Sequence, residues 1–438
     1  YNKSTDSYIL TPLNEASGTE YLTYSEGEKS VYSTNYFEGA IQYGASIQEQ
    51  HNVNALLVLT SYEKRVGNSG SLQLSLPYRN TGLAGRLTYD YDTRYFLELN
   101  FGYNGSERFN RDHRFGFFPS IAGGYLVSNE AFFEPLKKVI SQLKLKATYG
   151  LVGNDEIGNP NDRFFYLSEV NMNNSGRGYA FGDERGYSKS GVSISRYADP
   201  LITWEKSYKQ NYGIELSLLK KVDIQADYFQ EHRTNILQRR SYIPATMGLQ
   251  ATPQANVGEA SGKGFEISLN YKQTVNKDLW ATAMGNFTYA TAKYLVYEEP
   301  AYEDTPWLRR EGQKVGQAWG LVAERLFIDT YDVINSPLQE FGAYSAGDIK
   351  YKDINKDGII NSYDQVPIGF PTTPEIIYGF GASFGYKFLD FSFFFQGSGR
   401  SSFFISPSSI TPFVNNQSLL QMIADSYWSE DNRNSYAF

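Results

Sequence analysis

The stretch with the clearest chemical pattern is Asp353-Ile354-Asn355-Lys356-Asp357-Gly358-Ile359-Ile360-Asn361-Ser362-Tyr363-Asp364. Short oxygen-bearing side chains at its first, third and fifth positions, a glycine at the sixth and an acid at the twelfth fit the calcium-loop pattern D-x-N-x-D-G-x5-[D/E]. Asp353, Asn355 and Asp357 would converge on one centre. Gly358 allows the sharp turn, and Ile359 offers its backbone carbonyl. Asn361 would act directly or through water, and Asp364 would close the shell. Asp in place of the usual Glu at the last position points to a weaker, one-oxygen closure. The expected ion is Ca²⁺, and its role would be to stiffen a loop. The plain alternative is an Asx-rich turn without an ion, because turns select Asp, Asn and Gly in any case.

Other chemistry finds little support. The chain has no cysteine, which removes disulfides, zinc-thiolate sites and cysteine nucleophiles together. Its histidines, His51, His113 and His232, are too scattered for a metal cluster, and Ser128 has no visible His/Asp partners. Gly102, Gly105, Gly123 and Gly124 sit in a strand–loop–strand context, so the phosphate-loop reading fails its structural test. Asp155, Glu156, Asp183 and Glu184 share one long loop and resemble a glycosidase pair only in composition. Solvated loop charge is the better account, and no catalytic residue or organic cofactor is assigned. The net charge of −8 argues against nucleic acid as a partner.

The elements that must position the Asp353 loop are strands. Arg94–Tyr103 reads R-Y-F-L-E-L-N-F-G-Y, and Val222–Phe229 reads V-D-I-Q-A-D-Y-F. This period-2 alternation gives each strand one apolar and one polar face. Twelve spanning strands are expected between 36 and 397, at 36–50, 54–66, 83–92, 94–104, 115–128, 142–152, 204–218, 221–237, 262–273, 279–296, 375–386 and 388–397. Their connections alternate. His51-Asn52-Val53, Asp92-Thr93, Leu219-Lys220-Lys221, 273–277 and Lys387-Phe388 are compact, and 129–141 is medium and partly helical. The others, 67–82, 105–114, 153–203, 238–261 and 298–374, are longer. Gly316–Phe327 is assigned as local structure inside the last of these, because a spanning strand there would break the parity. Asn416–Trp428 has apolar residues at helical spacing and is expected to form a helix in an outer loop.

Loops sorted by length onto two sides, with no run of about 18 apolar residues, fit an all-β, antiparallel, up-and-down transmembrane barrel. Its short turns would face the periplasm and its long loops the outside. Aromatic residues make up 16 % of the chain, which suits interface belts. Tyr89, Tyr91, Tyr95 and Phe96 bracket one tight turn and are expected to form part of such a belt against outer-membrane lipid. Tyr166, Tyr179, Tyr187, Tyr302, Trp307 and Tyr344 lie in outer loops, where ligand stacking, loop packing and partner contact stay open. The abrupt ends suggest an internal piece of a longer polypeptide.

Several runs carry a family resemblance. L-A-G-R-L-T-Y-D-Y-D-T-R-Y-F-L-E-L-N-F-G-Y-N-G-S-E-R-F from Leu83, L-K-L-K-A-T-Y-G-L-V-G-N (143–154) and I-T-W-E-K-S-Y-K-Q-N-Y-G-I-E-L-S-L-L (202–219) are three. N-V-G-E-A-S-G-K-G-F-E-I (256–267), G-D-I-K-Y-K-D-I-N-K-D-G (347–358) and W-S-E-D-N (428–432) continue in order. Together they resemble the barrel of SusC/RagA-type TonB-dependent outer-membrane transporters. The resemblance implies a barrel of about 22 strands, an N-terminal plug outside this chain, TonB coupling and a SusD-like lid lipoprotein. It further implies active import of oligomeric nutrients, glycan oligosaccharides first and oligopeptides next, with loops 153–203, 239–260 and 298–374 facing the lid. The rivals are a passive porin, a secreted β-rich adhesin and a barrel enzyme.

Overall fold

The computed structural model describes residues 4–8, 24–27, 29–159, 161–414, 418–433 and 435. Its centre is one twelve-stranded antiparallel sheet in which every strand pairs with its sequence neighbour. The strands are β1 (Tyr32–Ile47), β2 (His51–Val66), β3 (Tyr78–Tyr91), β4 (Tyr95–Ser106), β5 (Phe115–Leu126) and β6 (Ile140–Asn154). They continue as β7 (Glu205–Leu218), β8 (Val222–Arg239), β9 (Gln254–Asn276), β10 (Leu279–Val296), β11 (Ile376–Tyr386) and β12 (Leu389–Gly399). All twelve expected strands are present, in the expected meander.

Some boundaries move. The first turn is not His51-Asn52-Val53. Gln48 and Glu49 take positive φ (53° and 57°), and His51 already pairs with Ile47. The same left-handed pair recurs at Asp92 and Thr93 and at Leu219 and Lys220. Two consecutive residues of this kind match the right-handed twist of the flanking strands, so the geometry wins over residue preference. β9 starts eight residues before the expected 262, because two register shifts near Ile236 let the β8–β9 ladder run on. In 254–261, Q-A-N-V-G-E-A-S, Val257 is the one large apolar residue, too little apolar surface for a strand to be expected. The medium connection folds as 3₁₀ turns at Val127–Asn129 and Ala131–Leu136.

Alternation sorts the two faces. On β4, Tyr95, Leu97, Leu99, Phe101 and Tyr103 share one face with Tyr91, Leu87 and Leu83 of β3. The other face carries Arg86 paired with Glu98, and Lys146 of β6 paired with Glu215 and Asp227. An apolar outer band over a charged interior is the pattern of a membrane barrel. Tyr91, Tyr95 and Tyr125 stack in sequence at 6.4 and 5.1 Å, and Tyr89 accepts or donates at 2.8 Å to His51 Nδ1. These form the expected belt at the short-turn end. Phe96 does not join it. As an even-numbered residue of β4 it turns to the polar face, where the Lys144 ammonium lies 5.1 Å from its ring.

Gly316–Phe327 lies outside the large sheet, as expected. Gln317–Gly320 pairs with Val366–Pro371, and Ala323–Leu326 with Ile349–Tyr351. The expected helix over 416–428 shrinks to one turn, Gln421–Ala424, while residues 416 and 417 lie outside the described set. Four residues bury too little apolar face for a longer helix to hold. No described helix is long and apolar enough to cross a membrane, which says nothing of crossing by strands.

Candidate functional site

The long loops gather at one end of the sheet in two folded units. The first is built on Phe109, Ile157, Phe165, Ile202 and Trp204, with Phe118 and Leu237 packed against them. Trp204 lies 5.6 Å from the Phe109 ring and 5.1 Å from Phe118, and its Nε1 donates to the Arg114 carbonyl. Arg163 is fully buried beside this cluster. Its guanidinium donates to the carbonyls of Gln73, Leu76 and Pro77, pairs with Glu107 and lies 3.8 Å over the Tyr78 ring. A buried cation is tolerated only when its donors are satisfied, so these bonds tie loop 67–77 to loop 155–204.

Beside that tie a polar pocket of about 470 Å³ opens between loops 155–204 and 240–253. Asn159, Asp162, Glu169, Ser195, Arg196, Arg239, Gln250 and Gln254 line it. Arg196 is held by its Nη2 bond to the Arg163 carbonyl at 2.8 Å and a long 3.7 Å contact to Asp162, while its Nε has no hydrogen-bond partner among the described residues. Amides, carboxylates, a hydroxyl and two guanidinium groups around one pocket can bind hydroxyl- or amide-rich ligands by direct hydrogen bonds.

The second unit is loop 297–375. Phe327, Ile360 and Leu326 are buried in it, and Tyr344 stacks on Phe327 at 5.5 Å. Trp428, from the segment after β12, lies against Gly347, whose φ is +93°. A carboxylate anchors the unit to the sheet. Burial pushes Glu375 up, but bonds from Lys314 at 2.7 Å, Arg400 at 2.8 Å and Thr291 at 2.7 Å outweigh it and bring its pKa down to about 2. Within the loop, Arg325 grips Asp332 at both oxygens and, with the Ile328 amide and Lys350, holds its carboxyl well below the usual range.

The Asp353 motif lies in this second unit. Asp353 accepts from the amides of Lys356 at 2.6 Å and Gly358 at 2.9 Å. Asn355 Oδ1 accepts from the Asp357 amide at 3.0 Å, and Asp357 from the Ile359 amide at 2.7 Å. Asp364 is fully buried; it accepts from Ile354 at 2.8 Å and from Asn361 at 2.9 Å. Asn361 Oδ1 accepts from Tyr363, and its amide donates to Glu340. Gly358 takes φ +84°, as the motif needs. Among the described residues no three His, Cys, Asp or Glu side chains close on one point as a metal cluster. The loop's oxygens are thus engaged with its own backbone. Each carboxylate oxygen has acceptor capacity beyond one N–H.

The other singled-out residues scatter. Asp183 and Glu184 sit in the turn of a hairpin formed by Glu169–Phe181 and Tyr187–Arg196, and Asp155 and Glu156 lie beyond its base near β6. Tyr179 and Tyr187 flank exposed Phe181 at that tip, with ring centroids at 5.1 and 6.4 Å. Trp307 and Tyr344 serve loop packing: Trp307 donates to the Tyr363 carbonyl, and the Tyr344 hydroxyl accepts the Gln339 amide. Arg163, Arg196 and Glu375 escaped the sequence reading, because their partners lie far away along the chain.

The model of the family described as TonB dependent receptor-like, beta-barrel matches residues 1–435. The chain belongs to this family. As a TonB-dependent receptor barrel it stands in the outer membrane, in a family of transporters. It is 28 % identical over 402 residues to TonB-dependent receptor P26 of Formosa agariphila, covering 82 % of this chain and 38 % of that protein. It is 26 % identical over 413 residues to TonB-dependent receptor SusC of Bacteroides thetaiotaomicron, covering 91 % of this chain and 37 % of SusC. The RagAB peptide transporter shares its fold at a TM-score of 0.68 and 19 % identity, over 93 % of this chain and 46 % of that one. The chain therefore spans less than half the length of these relatives.

Proposed function

We propose that this chain forms the barrel wall and lid-facing loops of an active importer for oligomeric nutrients, with glycan oligosaccharides as first cargo and oligopeptides as second. A SusD-like lipoprotein would close over loops 155–204, 240–253 and 297–375, and TonB would act on a plug that precedes the barrel. The observation that carries this reading is the likeness to SusC over 91 % of the chain. The polar pocket at Glu169, Ser195 and Gln254 supports a hydroxyl-rich cargo, since its lining offers the donors and acceptors that sugar hydroxyls match. Peptide import, as in the RagAB peptide transporter, is the second reading.

The test is purification of the full-length protein from outer membranes in detergent, with mass spectrometry of everything that accompanies it. A stoichiometric SusD-like lipoprotein with bound oligosaccharide confirms the lidded glycan importer; bound peptide shifts the cargo to the second reading. A plugless barrel that comes alone overturns the proposal in favour of a porin. Glu169→Gln should weaken uptake of the bound cargo several-fold without lowering the amount of inserted barrel.

We also propose Ca²⁺ as a ligand of the Asp353–Asp364 loop. Asp353, Asn355, Asp357, Asn361 and Asp364 with the Ile359 carbonyl supply the hard oxygen set this ion takes. When bound, the ion would add rigidity to the second loop unit.

A further inference from the structure

The outward face of β8–β10 changes character abruptly toward the long-loop end. Its last apolar row is Tyr228, Phe265 and Tyr289, paired across the three strands. The next row outward is Gln230, Lys263 and Thr291, and the row after it is His232, Ser261 and Lys293. Two polar rows with three basic side chains thus sit directly above an aromatic belt, on the face whose lower rows carry the apolar band. An aromatic row marks the membrane interface, so the polar rows stand at headgroup level of the outer leaflet.

The charge on this patch is available. Lys263 and Lys293 are exposed, and among the described residues no carboxylate pairs with either. The two carboxylates that approach the patch are already engaged. Glu259 bonds His232 at 3.0 Å, and Glu375 is held by Lys314 and Arg400. Diagonal positions on adjacent strands lie roughly 7–8 Å apart, so Lys263 and Lys293 can reach one phosphate between them, with the Ser261 hydroxyl beside it. The free charge is local. On β2–β4 the last apolar row is Leu59, Leu83 and Tyr103, the row beyond it, Ser61, Thr81 and Gly105, carries no charge, and the outward arginines further on, Arg65 and Arg79, are both engaged by Glu63.

We propose that this patch docks the phosphate of an outer-leaflet glycolipid, with Lys263 and Lys293 as the charge partners and the Tyr228–Phe265–Tyr289 row against its acyl base. Lysine binds phosphate as a compact point charge, and apolar contact below fixes the depth. The inference rests on the outer-membrane barrel and is independent of the cargo.

The experiment uses the full-length transporter, delipidated in detergent and titrated with phosphorylated lipid A or with the same lipid after phosphatase treatment. Bound lipid is counted by native mass spectrometry. The expected result is retention of the phosphorylated lipid, loss of the dephosphorylated one, and a drop of about tenfold or more in K263Q/K293Q. The conservative Lys293→Arg should retain the lipid. Equal retention of both lipids by the unaltered protein overturns the proposal without relying on any variant. Unchanged retention in K263Q/K293Q also overturns it. Millimolar inorganic phosphate should not displace the lipid; full displacement would show a free-phosphate site and sink the lipid assignment.

Discussion

Glu375 is nearly sealed from solvent yet ionised, because Lys314, Arg400 and Thr291 together outweigh its burial. Its folded pKa lies near 2, below an unfolded value of about 4.3. The sign follows: the stabilisation is fully present above about pH 4.5 and is lost as pH falls toward 2. Thermal unfolding from pH 6 to pH 2 should show this loss in the native protein and a flatter curve in Glu375→Gln. Lys314→Gln removes one donor and should start the loss at higher pH. The Asp353 loop gives a second prediction at this scale. Millimolar calcium should raise the midpoint at which protease cuts loop 297–375, and chelator should reverse the gain. Asp357→Asn should abolish the response, and a loop indifferent to calcium in the native protein would return the motif to a plain Asx turn.

At the level of strands and turns, backbone geometry overrides residue preference at Thr93. Thr93 holds φ +50° in a two-residue left-handed turn, a conformation a β-branched residue adopts at a cost. Thr93→Gly should therefore stabilise the β3–β4 hairpin by up to about 1 kcal/mol, read as a higher midpoint in denaturant of the refolded barrel. Gly213 shows the converse. A Cβ there would lie 2.3 Å from Asp227 Oδ1 and 2.2 Å from Lys146 Cε. Gly213→Ala should push the Lys146–Asp227 pair apart and strand a buried carboxylate, costing on the order of 2–3 kcal/mol. A neutral outcome in the same denaturation measurement would mean that the pair relocates freely.

Across the whole molecule, the outer loops behave as two units seated on one sheet. The segment after β12 belongs to the second unit through Trp428 on Gly347 and through Arg433, 3.6 Å from Asp329. Trp428→Ala should release residues 418–433 to protease while leaving the β1–β12 ladder protected from hydrogen exchange. Gly347→Ala should do the same, because φ +93° and the 2.8 Å approach of the indole both exclude a side chain. The first unit should respond separately. Arg163→Met leaves the carbonyls of Gln73, Leu76 and Pro77 without their donor, so loop 67–77 should become protease-sensitive first.

The amino-acid sequence by itself determined the twelve strands, their meander order, the face each residue takes and the sorting of loops. All of these are local: period-2 alternation, turn length and parity need no knowledge of distant residues. The Phe96 misplacement in the belt was avoidable by the same rule, since alternation already assigned it to the polar face. The oxygen set of the Asp353 loop was legible for the same reason, being contiguous. Only the tertiary structure decided that Arg163 ties loops almost 90 residues apart, that Glu375 meets Lys314 and Arg400, and that Trp428 closes on Gly347. It also decided the basic patch, since Lys263 and Lys293 become neighbours only through the β9–β10 register. Strand pairing converts separation along the chain into rows across the sheet, and a row is invisible until every register between its members is fixed.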